Sequence, residues 1–334
     1  MSKTTPIRSA FITGATGCIG SALAARLAKE NWQVVALVRD QTKADFLKEL
    51  PRIKIVEGDL SNRERLIAAM KDCQTVFHLA AKVHAAPGTP AAEFVSVNVE
   101  GTRNVVVAAI QAGASSFVHF STVAVYGESD QIFDETSVTK PTTAYGVSKL
   151  EAERIAFELT ATEPLKTTAL RLPVVYGAHD RGNVSKLIQA IQRGRYFIVG
   201  DGQNLKSMVA VENVVDAALL VAEAEKTGGQ IYLVADASNY SQSEIAETIA
   251  ELLGRPKPVR LPRWPLMLAG QMADAISKLA GVNLPISADR IRKLSSNTRC
   301  NAAKIEQELG FKPRVNLREG LAETINTDFK LRPL

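Results

Sequence analysis

Thr13-Gly-Ala-Thr-Gly-Cys-Ile-Gly20 lies between an apolar run at 9–12 and a helical pattern at 19–31, and that placement decides the fold. Glycines at such a junction let the backbone turn tightly and approach a pyrophosphate, whose charge the N-terminus of the next helix meets. The spacing is Gly-x-x-Gly-x-x-Gly, a variant of the more familiar Gly-x-Gly-x-x-Gly. A strand before and a helix after distinguish a dinucleotide loop from a turn that merely needs glycine. Cys18 inside the loop reads as a small filler rather than a nucleophile.

Outward from this loop, short apolar runs at 34–38, 53–57, 75–79, 116–120 and 167–172 alternate with helical patterns at 44–50, 63–71, 97–112 and 145–160. The alternation predicts an α/β fold, a doubly wound parallel sheet of Rossmann type with ligands at the carboxyl ends of its strands. After Tyr176 the rhythm loosens and prolines cluster at Pro256, Pro258, Pro262 and Pro265. Strands at 209–211 and 230–234 and a helix at 214–225 are still legible. The expected organisation is therefore a dinucleotide-binding domain over 1–175, with returning segments near 205–235. A smaller, interleaved substrate-binding region takes up 176–334.

Tyr145-Gly-Val-Ser-Lys149 places a phenol and an ammonium one helical turn apart, and Ser121-Thr122 ends a strand upstream. A phenol with a pKa near 10 is a poor base at neutral pH. An ammonium on the same helix face, together with an oxidised nicotinamide, would favour the phenolate. Tyr145 then exchanges a proton with an alcohol, and Thr122 holds the same oxygen. Ser148 faces elsewhere on the helix and reads as structural. At the end of the second strand stands Arg39, followed by Asp40. Arg39 can pair with the 2′-phosphate of NADP, or face solvent while Asp40 takes the ribose of NAD. Asp59 in Gly58-Asp59-Leu60 can accept from the adenine amino group, and the small Leu79-Ala80-Ala81 lets backbone come close to the cofactor.

Composition excludes several classes. A net charge of +5 on 334 residues suits an anionic ligand without demanding one. The chain has no zinc-ligand spacing, arginine-rich block or aromatic-basic stripe, so neither a metal site nor nucleic acid binding is expected. Cys18, Cys73 and Cys300 are scattered and odd in number, which points to a reducing cytoplasm. The start, 1–6, is short and polar and shows no signal peptide. No apolar run is long enough to span a bilayer. The nearest, 264–282, is interrupted by Gln271, Asp274 and Lys278. Its apolar positions Leu268, Met272, Ile276 and Leu279 recur at helical spacing. The segment reads first as a helix packed over the C-terminal core, and otherwise as a lid over the substrate or a membrane-surface contact.

Taken together, these motifs resemble the extended short-chain dehydrogenase/reductase superfamily, specifically the NAD-dependent epimerase/dehydratase family. The resemblance extends through Phe77-His-Leu-Ala-Ala81, Asn98-Val-Glu-Gly-Thr102 and Phe120-Ser-Thr-Val-Ala-Val-Tyr-Gly127. It continues in Leu170-Arg-Leu-Pro-Val-Val-Tyr-Gly177, Glu308-Leu-Gly-Phe-Lys-Pro313 and Leu317-Arg-Glu-Gly-Leu321. It implies Thr122, Tyr145 and Lys149 as the catalytic set. It implies a cofactor site of Gly14, Thr16, Gly17, Cys18, Ile19, Gly20, Arg39, Asp59, Leu60, Leu79, Ala80, Ala81, Asn98, Ser121, Pro173, Tyr145 and Lys149. Lys82, Val83, Thr122, Val123 and Lys206 would meet a small-molecule substrate, and the helices at 97–112 and 145–160 would pair two copies as a homodimer.

Departures from the family pattern narrow the chemistry. Related 4,6-dehydratases carry Asp-Glu immediately after the active-site Thr, where this chain has Val123 and Ala124, so loss of water is not expected. Pro173-Val-Val175 is shared with many relatives of hydroxysteroid dehydrogenases and flavonoid-type reductases. Gly200-Asp-Gly-Gln-Asn-Leu-Lys-Ser-Met208 resembles sugar-nucleotide epimerases, with Lys206 where a basic residue meets the diphosphate. The resemblance implies a 4-epimerase of a nucleoside-diphosphate hexose, working through a 4-keto intermediate. The alternative is an NADPH-dependent ketoreductase, resembling 3β-hydroxysteroid dehydrogenases, on an apolar substrate. Arg39 favours NADP(H) and the epimerase reading favours NAD.

Overall fold

Seven apolar runs form one parallel sheet in the computed structural model, which describes residues 8–83, 88–280 and 287–329. The strands are β1 (Ser9–Thr13), β2 (Gln33–Val38), β3 (Ile53–Glu57), β4 (Thr75–His78), β5 (Ser116–Thr122), β6 (Lys166–Leu172) and β7 (Gln230–Leu233). Their order is β3-β2-β1-β4-β5-β6-β7, with every neighbouring pair parallel. The direction of winding reverses between β1 and β4, the position where doubly wound sheets open a crevice for ligands.

Both faces of the sheet are covered, which is why its central strands read as continuous apolar runs. On one face α1 (Cys18–Lys29) packs Leu23 and Leu27 into a core that includes Val214 and Ala218 of the returning helix Val211–Glu223. On the other, α2 (Arg63–Met70), α3 (Gly101–Gln111) and α4 (Ala144–Thr160) bury Leu66, Met70, Val105, Ala109 and Ala156 against Phe11, Val76 and Phe117.

Several predicted elements shift. In place of one helix at 44–50 there is a 3-10 turn, Gln41–Lys43, and a single α turn, Asp45–Lys48. Asp40 caps the 3-10 turn, accepting from the Thr42 amide at 3.0 Å and its hydroxyl at 2.6 Å. The helix expected over 97–112 begins earlier, with an α turn Ala91–Phe94 and a π-helical stretch Val95–Glu100 that run into α3. The strand expected at 209–211 is Met208–Ala210, paired with Val174–Tyr176, and Val211 already opens the returning helix.

The chain beyond Tyr176 contains helices that no sequence signal singled out. Asn183–Gln192, Gln242–Leu252 and Leu317–Asp328 pack Val184, Ile188, Ile245, Ile249, Leu321 and Ile325 into a second apolar cluster. Asp236, just past β7, joins this cluster to the sheet. It accepts from the Tyr176 hydroxyl at 2.6 Å, the Asn213 amide at 2.8 Å and the Ala210 N–H at 3.0 Å.

The segment at 264–282 corrects an expectation. It forms the helix Arg263–Ala280, but Trp264, Leu268, Met272 and Ile276 face solvent rather than the C-terminal core. Helical spacing places apolar residues on one face without saying which face meets the protein. Here the opposite face packs, with Gly270 buried against the helix Ala288–Ser295. Residues 1–6 and 281–282, and the side chain of Leu279, lie outside the described residues. No described helix is long and apolar enough to cross a membrane.

Candidate active site

The glycine loop joins β1 to α1 and rests on the loop after β4. Gly14 has φ +73, and a Cβ there would lie 2.8 Å from the Ala80 amide nitrogen. One on Gly20 would lie 2.2 Å from the Gly14 carbonyl. The Ala80 N–H donates to Thr13 Oγ1 at 3.1 Å, drawing Leu79 and Ala80 beneath the loop. α1 begins at Cys18 with no side-chain cap at Gly17 and no acidic residue in its first turn. This start therefore offers free helix dipole and amides to an anion, and the cradle fits a dinucleotide pyrophosphate. Burial pushes the Cys18 thiol up to about 12, as befits a filler, while Thr16 and Ile19 line the same turn.

Below the loop a hydrogen-bonded chain ties β1, β4 and α3 together. Thr102 Oγ1 donates to the Asn98 carbonyl at 2.6 Å, so it accepts from His78 Nε2 at 2.9 Å. His78 Nδ1 must then accept from the Thr13 hydroxyl at 2.8 Å. Both ring nitrogens are used by a neutral imidazole, and burial, then Lys149, lowers the His78 pKa to about 3. A depressed pKa gives stability that is complete above the unfolded value of 6.5 and lost as pH falls towards 3. Across that window His78 should add about 1.4 kcal/mol per pH unit to the slope of unfolding free energy. Urea titrations of wild type and His78→Gln between pH 6.5 and 4 read it. Parallel pH dependences in the two proteins would contradict this assignment.

The catalytic candidates meet at the end of β5. Thr122 accepts from the Ala124 N–H at 3.2 Å, starting the turn Val123–Tyr126, and its side chain lies near enough to the Tyr145 phenol to draw its pKa down. Gly146 makes this proximity possible. A Cβ at that position would lie 2.6 Å from the Ala124 carbonyl, so only glycine lets the start of α4 approach so closely. Asn98 reinforces the arrangement from the π-helical stretch. Its side chain accepts from the Lys82 N–H at 2.7 Å and donates to the Lys82 carbonyl at 3.0 Å and to Ser148 Oγ at 2.9 Å. Ser148 thus has a structural task, and Asn98 clamps the loop after β4 to the catalytic helix.

The electrostatics differ from the expectation. Burial raises the Tyr145 pKa to about 12, with the nearby Thr122 side chain opposing it. The Lys149 ammonium does not stand against the phenol. It reaches into the sheet and donates to His119 Nε2 at 3.1 Å. Burial lowers the Lys149 pKa to about 8, and burial and Lys149 hold His119 neutral. One turn of helix sets both residues on one face, but the longer lysine side chain finds a buried acceptor on β5.

Beneath this layer lies a feature that spacing did not reveal. Glu153, one turn beyond Lys149, is 2% exposed and pairs with Arg171 of β6 at 2.6 Å. Arg171 also donates to the Tyr126 hydroxyl at 2.9 Å. The Ser121 hydroxyl donates to Glu153, so that side chain is turned into the interior. The network fixes the ends of β5 and β6 against α4.

The remaining candidates fall around this centre. Arg39 is exposed at the end of β2, whereas Asp40 is folded back into its own turn with Lys43 at 3.4 Å. Asp59 likewise accepts from the Ser61 amide at 2.8 Å and its hydroxyl at 2.5 Å, and Leu60 packs under Gly101. Ala81 continues the loop after β4, and Pro173 is buried after β6. Lys82 pairs with Glu93, Val83 is exposed, and Val123 packs, partly buried, against the apolar cluster that includes Tyr126 and Phe133. Lys206 is not a free loop lysine. Its ammonium donates to the carbonyls of Lys293 at 3.1 Å and Ser296 at 2.6 Å, binding the end of the helix Ala288–Ser295. Contact with a diphosphate would need it to give up those bonds.

The chain is similar along most of its length to known proteins. An N-acetyl-alpha-D-glucosaminyl-diphospho-ditrans,octacis-undecaprenol 4-epimerase of Escherichia coli O157:H7 is 30% identical over 96% of this chain and 95% of its own. A 4-hydroxy-2-methyl-3-oxo-4-farnesyl-3,4-dihydroquinoline-1-oxide ketoreductase of Stigmatella aurantiaca is also 30% identical, over 93% and 94%. The solved structure of MoeE5 with UDP-glucuronic acid and NAD is 33% identical, covers 95% of this chain and 98% of its own, and superposes with a TM-score of 0.76. The model of the NAD dependent epimerase/dehydratase family matches residues 10–235. The chain belongs to that family, and it is an NAD(P)-dependent epimerase or oxidoreductase of the extended short-chain dehydrogenase/reductase type.

Proposed function

We propose that the protein is a 4-epimerase of nucleoside-diphosphate hexoses that holds NAD tightly. One observation carries the reading. The paired hydroxyls of Thr122 and Tyr145 can grip a single alcohol oxygen, and their neighbours Val123 and Ala124 supply no acid for removing water. The 4-epimerase relative and the UDP-sugar complex of MoeE5 support it.

The chain's own residues have distinct tasks. Tyr145 acts as the phenolate, the form that the positive charge of an oxidised nicotinamide would favour, taking the proton from the 4-hydroxyl at its phenol oxygen and returning it after the sugar has turned. Thr122 fixes the same oxygen. Lys149, with its pKa lowered to about 8, keeps a positive charge buried beneath the catalytic helix, held on His119 rather than on the phenol. Nicotinamide, bound through the glycine loop, supplies hydride acceptance and return and, when oxidised, a positive charge. The dinucleotide occupies residues 1–175 with the segments near 205–235, and 176–334 holds the sugar. Two copies pair through the helices at 97–112 and 145–160, where Val147 is 52% exposed. Incubation with common nucleotide hexoses should give C4-inverted sugars by NMR without added reductant, and absence of inversion in all of them would remove the proposal.

A second reading, an NADPH-dependent ketoreductase on an apolar substrate, is favoured by the turned-away Asp40 beside an exposed Arg39 and by the ketoreductase relative. Dinucleotide released on denaturation decides between them by mass, with NAD expected for the epimerase. In the ketoreductase case, Arg39→Ala should weaken NADPH binding by about tenfold or more, the worth of a charged hydrogen bond to phosphate. An unchanged NADP/NAD preference in that variant would clear Arg39 of the role.

A further inference from the structure

The helix Arg263–Ala280 presents its apolar stripe outward. Trp264, Leu268, Met272 and Ile276 follow at four-residue spacing and are exposed to 71%, 52%, 64% and 49%. Gln271 is the only polar side chain at an exposed position between 264 and 276. Single exposed apolar residues need no explanation, but a continuous stripe on a helix does. The orientation is fixed from behind. A Cβ on Gly270 would lie 2.7 Å from the Ala288 nitrogen, and Asp274 accepts from the Ala288 N–H at 3.1 Å. Rotating the stripe inward would break both contacts.

The approach to this helix is cationic. Arg255, Lys257, Arg260 and Arg263 lead into it, and no carboxylate occurs between Leu252 and Ala273. Lys257 and Arg260 share one partner, Glu247, at 2.7 and 3.0 Å, so positive charge is left over. Val259 in the same stretch is 65% exposed. A row of cations, a tryptophan at the boundary and an uncharged apolar face form the pattern of a helix lying in a membrane interface.

We infer that Arg263–Ala280 docks the protein on an anionic lipid surface. The helix lies in the plane of the leaflet with Leu268, Met272 and Ile276 below headgroup level and Trp264 at it. The basic stretch 255–263 meets the lipid phosphates. At 18 residues the helix is about 27 Å long, and it rests on the bilayer rather than crossing it. This docking goes beyond the activity proposed above and does not depend on it.

The full-length protein is mixed with vesicles of phosphatidylcholine alone or with added phosphatidylglycerol, and binding is read by co-sedimentation. Trp32 is 2% exposed, so a blue shift in emission reports Trp264 entering the interface. Binding to phosphatidylglycerol vesicles should exceed that to phosphatidylcholine by about tenfold and fall with salt. The double variant Met272→Glu/Ile276→Glu, altered only on the solvent face, should lose about tenfold or more of it. Circular dichroism confirms that the variant folds. Failure to bind either vesicle, or equal binding by the variant, would overturn the inference. So would a dimer in sedimentation of the protein alone that the same variant dissociates, since the stripe would then lie between copies.

Discussion

Tyr145→Phe should lower turnover by about two to four orders of magnitude while leaving the fold and dinucleotide affinity in place. The substitution removes one oxygen, close to the Thr122 side chain. The ring stays on α4, and Gly146 still seats that helix against the Ala124 carbonyl. No backbone hydrogen bond is lost. The size of the loss is that of removing a placed general base. Steady-state kinetics with dinucleotide titration by fluorescence checks both halves. Near-normal turnover would show that Tyr145 is not the base, and a protein that no longer bound dinucleotide would show that its role is architectural.

Arg171→Met should destabilise the protein by about 3–5 kcal/mol, because it leaves Glu153 buried without its hydrogen-bonded counter-charge. The two side chains are 5% and 2% exposed, and Glu153 would retain the Ser121 hydroxyl as its hydrogen-bond partner, with the Lys149 charge still acting on it. Urea unfolding at neutral pH measures the loss. The companion variant Glu153→Gln/Arg171→Met should recover a large part of it, since an amide is far cheaper to bury than a carboxylate. A single variant within about 1 kcal/mol of wild type would mean that the pair is hydrated and contributes as little as a surface bridge.

The features legible in the sequence are those whose chemistry is local. Gly14, Gly17 and Gly20 sit within one turn of chain, and Tyr145 and Lys149 within one turn of helix, so spacing alone carries their meaning. The parallel sheet was legible for the same reason, since strands buried on both faces are apolar throughout. Contacts made between distant elements were not legible. Lys149 with His119, Glu153 with Arg171, and Asn98 with Ser148 join residues separated by 30, 18 and 50 positions, and no periodicity marks them. The small helices after Tyr176 escaped because their apolar residues meet one another across the chain rather than a sheet. The stripe at Trp264, Leu268, Met272 and Ile276 was seen and assigned to the wrong side. Periodicity defines a face, but the small residue opposite it, Gly270, decides which side packs.

The most direct test of the central claim uses a nucleoside-diphosphate hexose carrying deuterium at C4, incubated with the purified protein and no added dinucleotide. The account predicts a mixture of the two C4 epimers in which the inverted sugar keeps its deuterium, because the same hydrogen leaves and returns. An inverted product that has exchanged its label with solvent, or a keto product formed only with stoichiometric dinucleotide, would contradict it.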